Sequence, residues 1–385
     1  MKILAECKAF LAALKKAAKF TDGKSTVSAF RCVKISAGLH GSDAMLEGNI
    51  FTDAARFRFP ATLLGVAFGY EELAALFEPG PVMKLLAGVD GIVTIETPRE
   101  GLLQFAFGST RAEFDAFPAA DFAAWLAPDE SAVEIVVSAR SLARAIEATV
   151  VAAGDEVCPA RHALRMEFDA ADGKATIAAT DGRRLHFAMI AAKESERGAE
   201  APDAPAFNFR NSTARKLAAF LGAQGEGADA MLRFSSERIV VRAGGAELAA
   251  ERAKIVYPEW RKCVPDAPKR YATPDAPSML SVLGRFAALG NEFVVIQGRP
   301  EDEQLVLENV ERHDGTKVKI RSVVISQDAD GLDGETVVNP YFLAEAIRSA
   351  GPSSVMLGKA KPMVIVRSAP GATVAVTVLL MEARV

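Results

Sequence analysis

One segment of the chain resembles a phosphate-binding loop. Residues 18–25 (AKFTDGKS) fit the permissive form of that motif, in which Ala replaces the first Gly. A working loop follows a buried strand and has a helix beginning at its Lys, so that backbone N–H groups surround the phosphate. Here a Lys-rich helix is predicted before the segment, and residues 26–30 (TVSAF) are predicted to form a strand. These surroundings argue against nucleotide hydrolysis.

The other reactive side chains do not form a recognisable catalytic centre. Asp181, Arg183 and Arg184 could place an acid beside phosphate-binding groups, but a turn stabilised by Asp and Gly explains the same residues more simply. The sequence contains neither a GxSxG turn nor a GxGxxG segment after a strand. The Cys residues show no CxxC spacing and the His residues show no HExxH spacing. These residues are Cys7, Cys32, Cys158, Cys263, His40, His162, His186 and His313. We therefore expect a protein without enzymatic activity, metal or cofactor.

Length and composition indicate a globular protein of two or three domains. The chain has 385 residues, of which 50% are hydrophobic and 24% are charged. The first ten residues lack the layout of a signal peptide, and no apolar run approaches the roughly 18 to 20 residues of a membrane-spanning helix. We expect a cytoplasmic protein. The formal net charge of -4 argues against nucleic acid as a partner unless basic residues are concentrated on one face.

Helix-like segments recur at nearly even spacing along the chain. Three of them begin with polar or Pro residues and then place apolar residues about four apart, at 6–20, 138–150 and 276–290. A second set follows later in each third, at 81–88, 209–222 and 339–350. Runs rich in β-branched and apolar residues predict strands between them, as at 238–242, 363–367 and 373–380. The sequence thus predicts an α+β protein of three similar domains, each with two helices packed on an antiparallel sheet, at 1–127, 128–265 and 266–385.

The predicted helices carry a strong positive bias. The six segments contain 12 Lys or Arg against 3 Glu, although the whole chain is acidic. Amphipathic helices commonly carry solvated charge on their outer faces, but that does not predict one sign. If the helices share one face of a curved sheet, this face could hold a phosphate backbone without reading its sequence. The candidate DNA contacts on these helices are Arg140, Arg144, Arg215 and Lys216.

Three short motifs lie in the middle of the chain, between residues 117 and 262. They are FPAADF at 117–122, ATDGRRL at 179–185 and YPEWRK at 257–262. They resemble three segments of the bacterial sliding clamp, which is the β subunit of the replicative DNA polymerase (DNA polymerase III). The first is similar to the segment that closes the clamp's first domain, and the second to the ATDGxRL signature of its middle domain. The third is similar to the FPDYRR segment that closes the middle domain. Residues 131–149 are similar to the opening of that family's second domain. The resemblance spans the chain and is strongest from 108 to 265.

The resemblance implies a non-catalytic processivity factor. In the family, two subunits pair head to tail into a closed ring whose helices surround duplex DNA. The partners would be duplex DNA of any sequence, polymerase and clamp-loader subunits that carry short linear motifs, and a second copy of the chain, at the nucleoid. The resemblance also places Lys24 and Arg161 near basic loop residues that contact DNA. Two alternatives stay open: a specialised paralogue that serves a repair polymerase, a phage or a plasmid replicon, and a clamp-fold peptide-binding module that no longer closes a ring.

The resemblance further implies a pocket for partner peptides between the second and third domains. The matching positions are Leu164, Thr180, Gly182, Arg183, Arg184, Leu185, Pro258, Lys262, Cys263, Leu379 and Met381, with Pro362 as a looser candidate. An apolar pocket with a few polar groups at its rim suits an extended peptide with one aromatic or Leu anchor. Without the resemblance, Leu164, Leu185, Leu379 and Met381 would simply be interpreted as core.

Three positions depart from the family pattern. Arg183 stands where His or Tyr is common, Cys263 stands where an aliphatic residue is usual, and Glu382-Ala383 replaces Pro-Met in the tail. Loss of the Pro is expected to free the tail. Glu382 is expected to place a negative charge at the rim of the pocket, which would change the affinity for partners.

Overall fold

The computed structural model describes residues 2–21, 25–37, 43–50, 55–67, 73–122, 132–154, 162–197, 205–235, 237–309, 320–332, 334–351, 355–360 and 362–382. The helices in these ranges are α1 (Cys7–Ala18), α2 (Ser28–Arg31), α3 (Pro79–Leu86), α4 (Ala139–Val150), α5 (Asn211–Gly222), α6 (Ala276–Ala288) and α7 (Pro340–Ala350). Two predicted DNA contacts, Lys24 and Arg161, lie outside the described residues.

The strands are numbered in chain order. The first twelve are β1 (Lys2–Glu6), β2 (Val33–Ala37), β3 (Asp43–Ile50), β4 (Ala55–Ala67), β5 (Leu73–Phe77), β6 (Ile92–Arg99), β7 (Leu102–Phe107), β8 (Thr110–Asp115), β9 (Val133–Ser138), β10 (Ala163–Asp169), β11 (Lys174–Thr180) and β12 (Arg184–Ala191). The others are β13 (Lys193–Arg197), β14 (Ala206–Arg210), β15 (Asp229–Phe234), β16 (Arg238–Ala243), β17 (Ala246–Glu251), β18 (Thr273–Pro274), β19 (Val294–Arg299), β20 (Gln304–Asn309), β21 (Arg321–Gln327), β22 (Glu335–Val338), β23 (Val355–Ala360), β24 (Met363–Ser368) and β25 (Ala375–Met381).

All six helices predicted from the sequence are present, and side-chain caps explain where several of them begin. The Ser138 hydroxyl accepts a hydrogen bond from Ser141 N, and Asp275 and Asn339 cap α6 and α7 in the same way. The predicted start of α5 at 209 was two residues early, because residues 209 and 210 belong to β14. The strand predicted at 26–30 was wrong: Phe30 N donates to Val27 O, and Cys32 N to Ser28 O, which makes the short helix α2.

The described residues form two compact units. The first comprises Met1–Val136, Ser195–Ala201 and Ala228–Arg252, and the second comprises Val137–Glu194, Pro202–Gly227 and Ala253–Val385. Thirteen of the described strands form one sheet that lies mainly in the first unit. Strand pairs such as β1–β4 and β17–β4 are antiparallel, and α1 packs against α3. Phe20 follows α1 and stacks on Phe57 of β4, with ring centroids 3.9 Å apart. These aromatic contacts fix the helix on its sheet.

In the second unit, helices cover one face of a seven-stranded antiparallel sheet. Its strand order is β14-β10-β11-β12-β25-β24-β23. Helices α4, α5 and α7 pack on this sheet and α4 touches both of the others, so all three lie on the same face. The same unit contains the five-stranded sheet β18-β21-β20-β19-β22, and α6 packs against α7. No helix in the described ranges is long and apolar enough to cross a membrane.

The opposite face of the seven-stranded sheet is covered by an irregular segment, residues 253–272. Tyr257 and Trp260 of this segment are buried and pack with Leu185, Phe187 and Leu379 of the sheet. The hydroxyl of Tyr257 donates to Ala178 O at 2.9 Å. Since side chains alternate between the two faces of a strand, the sheet carries the helices on one side and this aromatic cluster on the other.

Candidate functional site

The ATDGRRL motif forms a tight turn between β11 and β12. Asp181 Oδ1 accepts hydrogen bonds from Arg183 N at 2.9 Å and Arg184 N at 3.0 Å. The Thr180 hydroxyl donates to Arg184 O at 2.7 Å, and Gly182 has a φ of +85°, which favours Gly. The simpler interpretation of Asp181 as a turn residue is therefore confirmed. The turn leaves Gly182 and Arg183 exposed and turns the side chain of Arg184 inward.

Arg184 ties the turn to two helices. Its guanidinium donates to Asp181 Oδ2, to Glu345 of α7 and to Val151 O at the end of α4, and it lies over the Phe342 ring at 4.3 Å. Only 8% of its side chain is exposed. All of these groups lie on the helix side of the sheet. Arg184 is therefore placed to hold structure together and not to touch a peptide on the opposite face.

Two cross-strand rows of side chains organise that opposite face. Leu185, Leu379 and Ile365 are paired across β12, β25 and β24, and all three are buried. The next row is Arg183, Met381 and Met363: Met381 pairs with Met363, and Met381 N donates to Arg183 O at 3.1 Å. Met381 is 47% exposed. We call this second row, Arg183–Met381–Met363, the methionine row; it is the accessible end of a buried apolar stripe.

The irregular segment, residues 253–272, supplies exposed groups to the same face. Its exposed residues among the predicted site positions are Pro258, Lys262 and Cys263, and Pro362 is exposed beside Met363. Lys262 forms an ion pair with Glu259. The guanidinium of Arg261 lies 4.6 Å from the Trp260 ring and pairs with Glu167. Burial alone would raise the pKa of Glu167, but hydrogen bonds from Arg165 and Arg261 outweigh it and hold that pKa below its usual value.

Leu164 does not lie on this face. It pairs with Phe209 across β10 and β14, whereas its neighbour Ala163 belongs to the aromatic cluster. Leu164 is fully buried on the helix side, as Arg184 is, so the thickness of the sheet separates it from the predicted pocket residues of the opposite face, such as Leu185, Leu379 and Met381. Ala163 occupies the cluster-side position instead. The sequence analysis chose Leu164 and so missed Ala163 by one residue. The alternation of side chains along β10 could have assigned Ala163 to the cluster side.

The core interpretation of the apolar positions holds for three of the four. Leu164, Leu185 and Leu379 are at most 5% exposed, whereas Met381 is half exposed.

The structure corrects the expectation for the tail. Glu382 N donates to Pro362 O at 2.9 Å, and its carboxylate pairs with Lys359 at 3.1 Å. The tail is thus held at Glu382 without Pro, and the charge of Glu382 is compensated. Residues 383–385 lie outside the described ranges.

The helix face of the sheet carries the four placed candidate DNA contacts. Arg140, Arg144 and Arg215 are exposed and Lys216 is half-buried. Arg140 at the start of α4 pairs with Glu226, just beyond α5, at 2.5 Å, and both side chains are more than half exposed. Arg144 and Arg348 line a cleft of about 290 Å³ between α4 and α7. An exposed ion pair such as Arg140–Glu226 contributes little, so Arg140 can exchange its partner for a phosphate.

A buried imidazole under α4 makes stability depend on pH. His186 Nδ1 lies 2.9 Å from Ala148 O, and Nε2 has no hydrogen-bond partner among the described residues. Burial lowers the pKa of His186 from 6.5 to about 4. Because the folded-state pKa is below the unfolded one, the unfolded chain binds the proton first. We expect the free energy of unfolding to fall by up to roughly 3 kcal/mol as the pH falls from 6.5 to 4, and to be independent of this group above that window.

An NMR titration of the histidine rings measures this directly. The folded-state pKa of His186 should be near 4, and the pH dependence of unfolding in this window should be flatter in His186→Gln. A His186 resonance that titrates near 6.5 in the folded protein would contradict the expectation.

Solved structures of other proteins have the same architecture. No protein-family model and no curated protein sequence matches the chain. Solved structures match over their whole length. A DnaN sliding clamp, DNA polymerase III subunit beta, from Pseudomonas aeruginosa bound to griselimycin has 16% identity and a TM-score of 0.83, with 100% of both chains covered. A Helicobacter pylori beta clamp in complex with 3,4-difluorobenzamide has 15% identity and a TM-score of 0.83, again with 100% of both chains covered. From end to end, the chain has the fold of the bacterial DNA polymerase III β sliding clamps.

Proposed function

We propose that the protein is a DNA sliding clamp, a non-catalytic processivity factor that encircles duplex DNA and tethers a polymerase. The observation that carries the proposal is the full-length match to β clamps. Two features independent of that match support it: the three packed helix pairs, and the exposed cations on the helix face of the second unit. A clamp of this kind acts on chromosomal DNA in the cytoplasm.

We further propose the division into three domains at 1–127, 128–265 and 266–385. Each third has a strand followed directly by a helix near its start: β1–α1, β9–α4 and β18–α6. A second helix packs on the first in each case, giving the pairs α1–α3, α4–α5 and α6–α7. Three copies of one arrangement suit a ring, because similar domains present similar helix faces to a central DNA.

Two different strand edges could close the ring head to tail. Among the described strands, β8 in the first unit pairs only with β7, and β21 in the second unit pairs with β20 and with two residues of β18. Val323 and Ile325 of β21 are 49% and 69% exposed. Unpaired strand edges are templates for addition of another strand. Addition of β8 of one copy to β21 of another joins unlike surfaces, which gives a ring when the rotation closes.

The face opposite the helices is the proposed surface for partner segments of polymerases and loaders. The methionine row, with exposed Pro258, Lys262, Cys263 and Pro362 nearby, is accessible, while Leu185 and Leu379 form its floor. Methionine side chains adapt to irregular apolar anchors. The DNA contacts and the partner surface therefore lie on opposite faces of one sheet, so both could be occupied together.

Sedimentation equilibrium tests ring formation in solution. The proposal expects a particle of twice the chain mass of 40.9 kDa. A particle of the single-chain mass at micromolar concentration would favour a peptide-binding module that does not close a ring.

A further inference from the structure

The face of the thirteen-stranded sheet opposite α1 carries three cross-strand rows of mainly charged side chains. Phe57 of β4 stacks on Phe20, which follows α1, so alternation along β4 puts Arg56 and Arg58 on the other face. Cross-strand pairing then defines the rows, all of them in the first unit. They are Lys34–Glu47–Arg58–Glu247–Arg242–Met231, Arg56–Ala249–Val240–Arg233 and Glu251–Arg238. We call the three rows together the arginine face.

The first row is largely neutralised within itself. Glu47 is only 5% exposed and pairs with Lys34 at 4.0 Å and with Arg58 at 3.5 Å. Glu247 pairs with Arg58 at 3.4 Å and with Arg242 at 2.7 Å. Cations and carboxylates thus alternate along this row. Its ion pairs connect neighbouring strands, and we assign it a structural role.

The second row has two arginines and no carboxylate. Arg56 and Arg233 stand at its ends, on either side of Ala249 and Val240. Within the described residues, no Asp or Glu oxygen lies within ion-pair distance of either guanidinium. Nε and Nη1 of Arg56 are buried and have no hydrogen-bond partner in the part of the chain that the structure describes. Both arginines can therefore accept an anionic ligand.

Arg56 is a poorly compensated cation. Burial lowers its pKa, and the nearby Arg238 acts in the same direction, while the carboxylates of Glu251 and Glu47 oppose them. A guanidinium nevertheless stays protonated at physiological pH. An anion bound beside Arg56 would supply the missing negative charge. It would also accept hydrogen bonds from N–H groups that are costly to leave unbonded.

A row of the same construction in the second unit is apolar. Leu185, Leu379 and Ile365 are paired across three strands there, as Arg56, Ala249 and Val240 are here, and both rows face away from helices. The arginine face presents a guanidinium at its first position, where the row of the proposed partner surface presents Leu. A ligand of the arginine face is consequently recognised by its negative charge.

We propose that the arginine face binds a nucleic-acid strand through its phosphates, on the outside of the proposed ring. Arg56 and Arg233 are three strand spacings apart, about 14 Å, so a chain of phosphates is suited to contact both. The three rows hold six cations against three carboxylates, and five of the six are arginines. Arginine binds phosphate through two parallel hydrogen bonds and stacks on exposed bases. This inference goes beyond encirclement of duplex DNA and does not require a closed ring.

An acidic protein segment is the competing ligand. Peptide affinity depends on apolar anchors that fill pockets. Val240 and Ala249 are at most 4% exposed, so the middle of the face gives an anchor little to contact. The exposed apolar side chain of the three rows is Met231, at the outer end of the first row. A nucleic-acid strand needs no anchor, because its affinity comes from several phosphate contacts at once.

Fluorescence anisotropy with a labelled single strand of about 16 nucleotides tests the proposal. Arg56→Gln is combined with Arg233→Gln in the full-length protein. Loss of two phosphate contacts should lower the affinity about 20-fold near 0.1 M salt, and it should reduce the slope of log affinity against log salt by about 1.4. The affinity for a short duplex should stay near that of the parent protein, because the helix face is unchanged.

Two further variants guard against an indirect effect. Arg99→Gln combined with Lys269→Gln is the matched control, since both side chains are exposed, lie outside the three rows and carry the same total charge. It should keep most of the single-strand affinity. Arg233→Gln alone leaves the partly buried Arg56 in place, and it should reduce the salt slope by about 0.7.

Ultraviolet cross-linking locates the strand without any substitution. Peptide mapping of the cross-linked protein should find the nucleic acid on β4, β15 and β16. Cross-links confined to α4 and α5 would overturn the proposal, because they would place the single strand on the helix face.

The remaining outcomes separate this inference from the proposed function. Equal losses of single-strand affinity in the double variant and its matched control, or no loss in either, would overturn the arginine face as a nucleic-acid site. An equal loss of duplex affinity in the double variant would overturn a separate site outside the ring. Tighter binding of a Glu-rich peptide, abolished by the same double variant, would overturn the assignment in favour of a protein partner. Ring formation is tested independently by sedimentation.

Discussion

Affinity for a short linear duplex should fall by about 100-fold at moderate salt when four cations of α4 and α5 are reversed to Glu. The four are Arg140, Arg144, Arg215 and Lys216. Each phosphate contact contributes close to one unit to the slope of log affinity against log salt. This contribution disappears near 1 M salt, so four contacts supply a factor on the order of 100 at about 0.25 M salt. Fluorescence anisotropy with a labelled duplex measures the affinity without requiring a closed ring.

A matched variant separates local contacts from net charge. Lys174, Lys193, Lys254 and Lys269 are exposed and lie on no helix, so their reversal changes the net charge equally. This control should retain most of the affinity. Sedimentation should show the same mass for both variants and the parent protein. Equal losses of DNA affinity in the two variants would show that net charge, and not local contact with the helix face, determines binding. An unchanged affinity in the helix variant would show that the helix face does not bind DNA.

Replacement of Arg184 with Gln should destabilise the protein severely. The change leaves Glu345 and Asp181 as poorly compensated carboxylates and removes the bond to Val151 O. Breaking a buried pair from one side costs about 3 to 5 kcal/mol because the remaining charge stays desolvated. In a domain of 150 to 250 residues this corresponds to a fall in Tm of about 10 °C. Thermal unfolding followed by circular dichroism measures it.

The adjacent residue provides the control for Arg184. Arg183 is exposed and lacks a described ion-pair partner, so Arg183→Gln should shift Tm by no more than about 2 °C. Similar shifts of Tm in the two variants would show that the Arg184 contacts do not stabilise the packing of the turn against the helices.

Local patterns in the sequence were sufficient to predict six helices and the three strands at 238–242, 363–367 and 373–380. The apolar spacing located the helices, including those that begin at Ser138 and Asn339, and β-branched runs located strands such as β16 and β24. These signals depend on residues a few positions apart, which a single sequence displays. The α2 segment escaped because four residues are too few for a helical period to differ from a strand.

Long-range partners and strand faces were not predictable in this way. Arg184 was assigned to the partner surface, but its ligands Val151 and Glu345 are 33 and 161 residues away. Leu164 was misplaced because a shift of one residue moves a side chain to the other face of a sheet. The anchoring of Glu382 depends on Lys359, which belongs to a different strand. Such contacts exist only once the chain is folded, so composition and spacing do not reveal them.

Linearisation of a loaded circle tests the central proposal most directly. The protein is assembled on nicked circular DNA with a clamp loader, the complex is isolated, and the circle is cut once with a restriction enzyme. A closed ring is held by topology, so the protein should remain on the uncut circle and leave the DNA after the cut. Equal retention on circular and linear DNA would contradict encirclement and indicate ordinary contact binding.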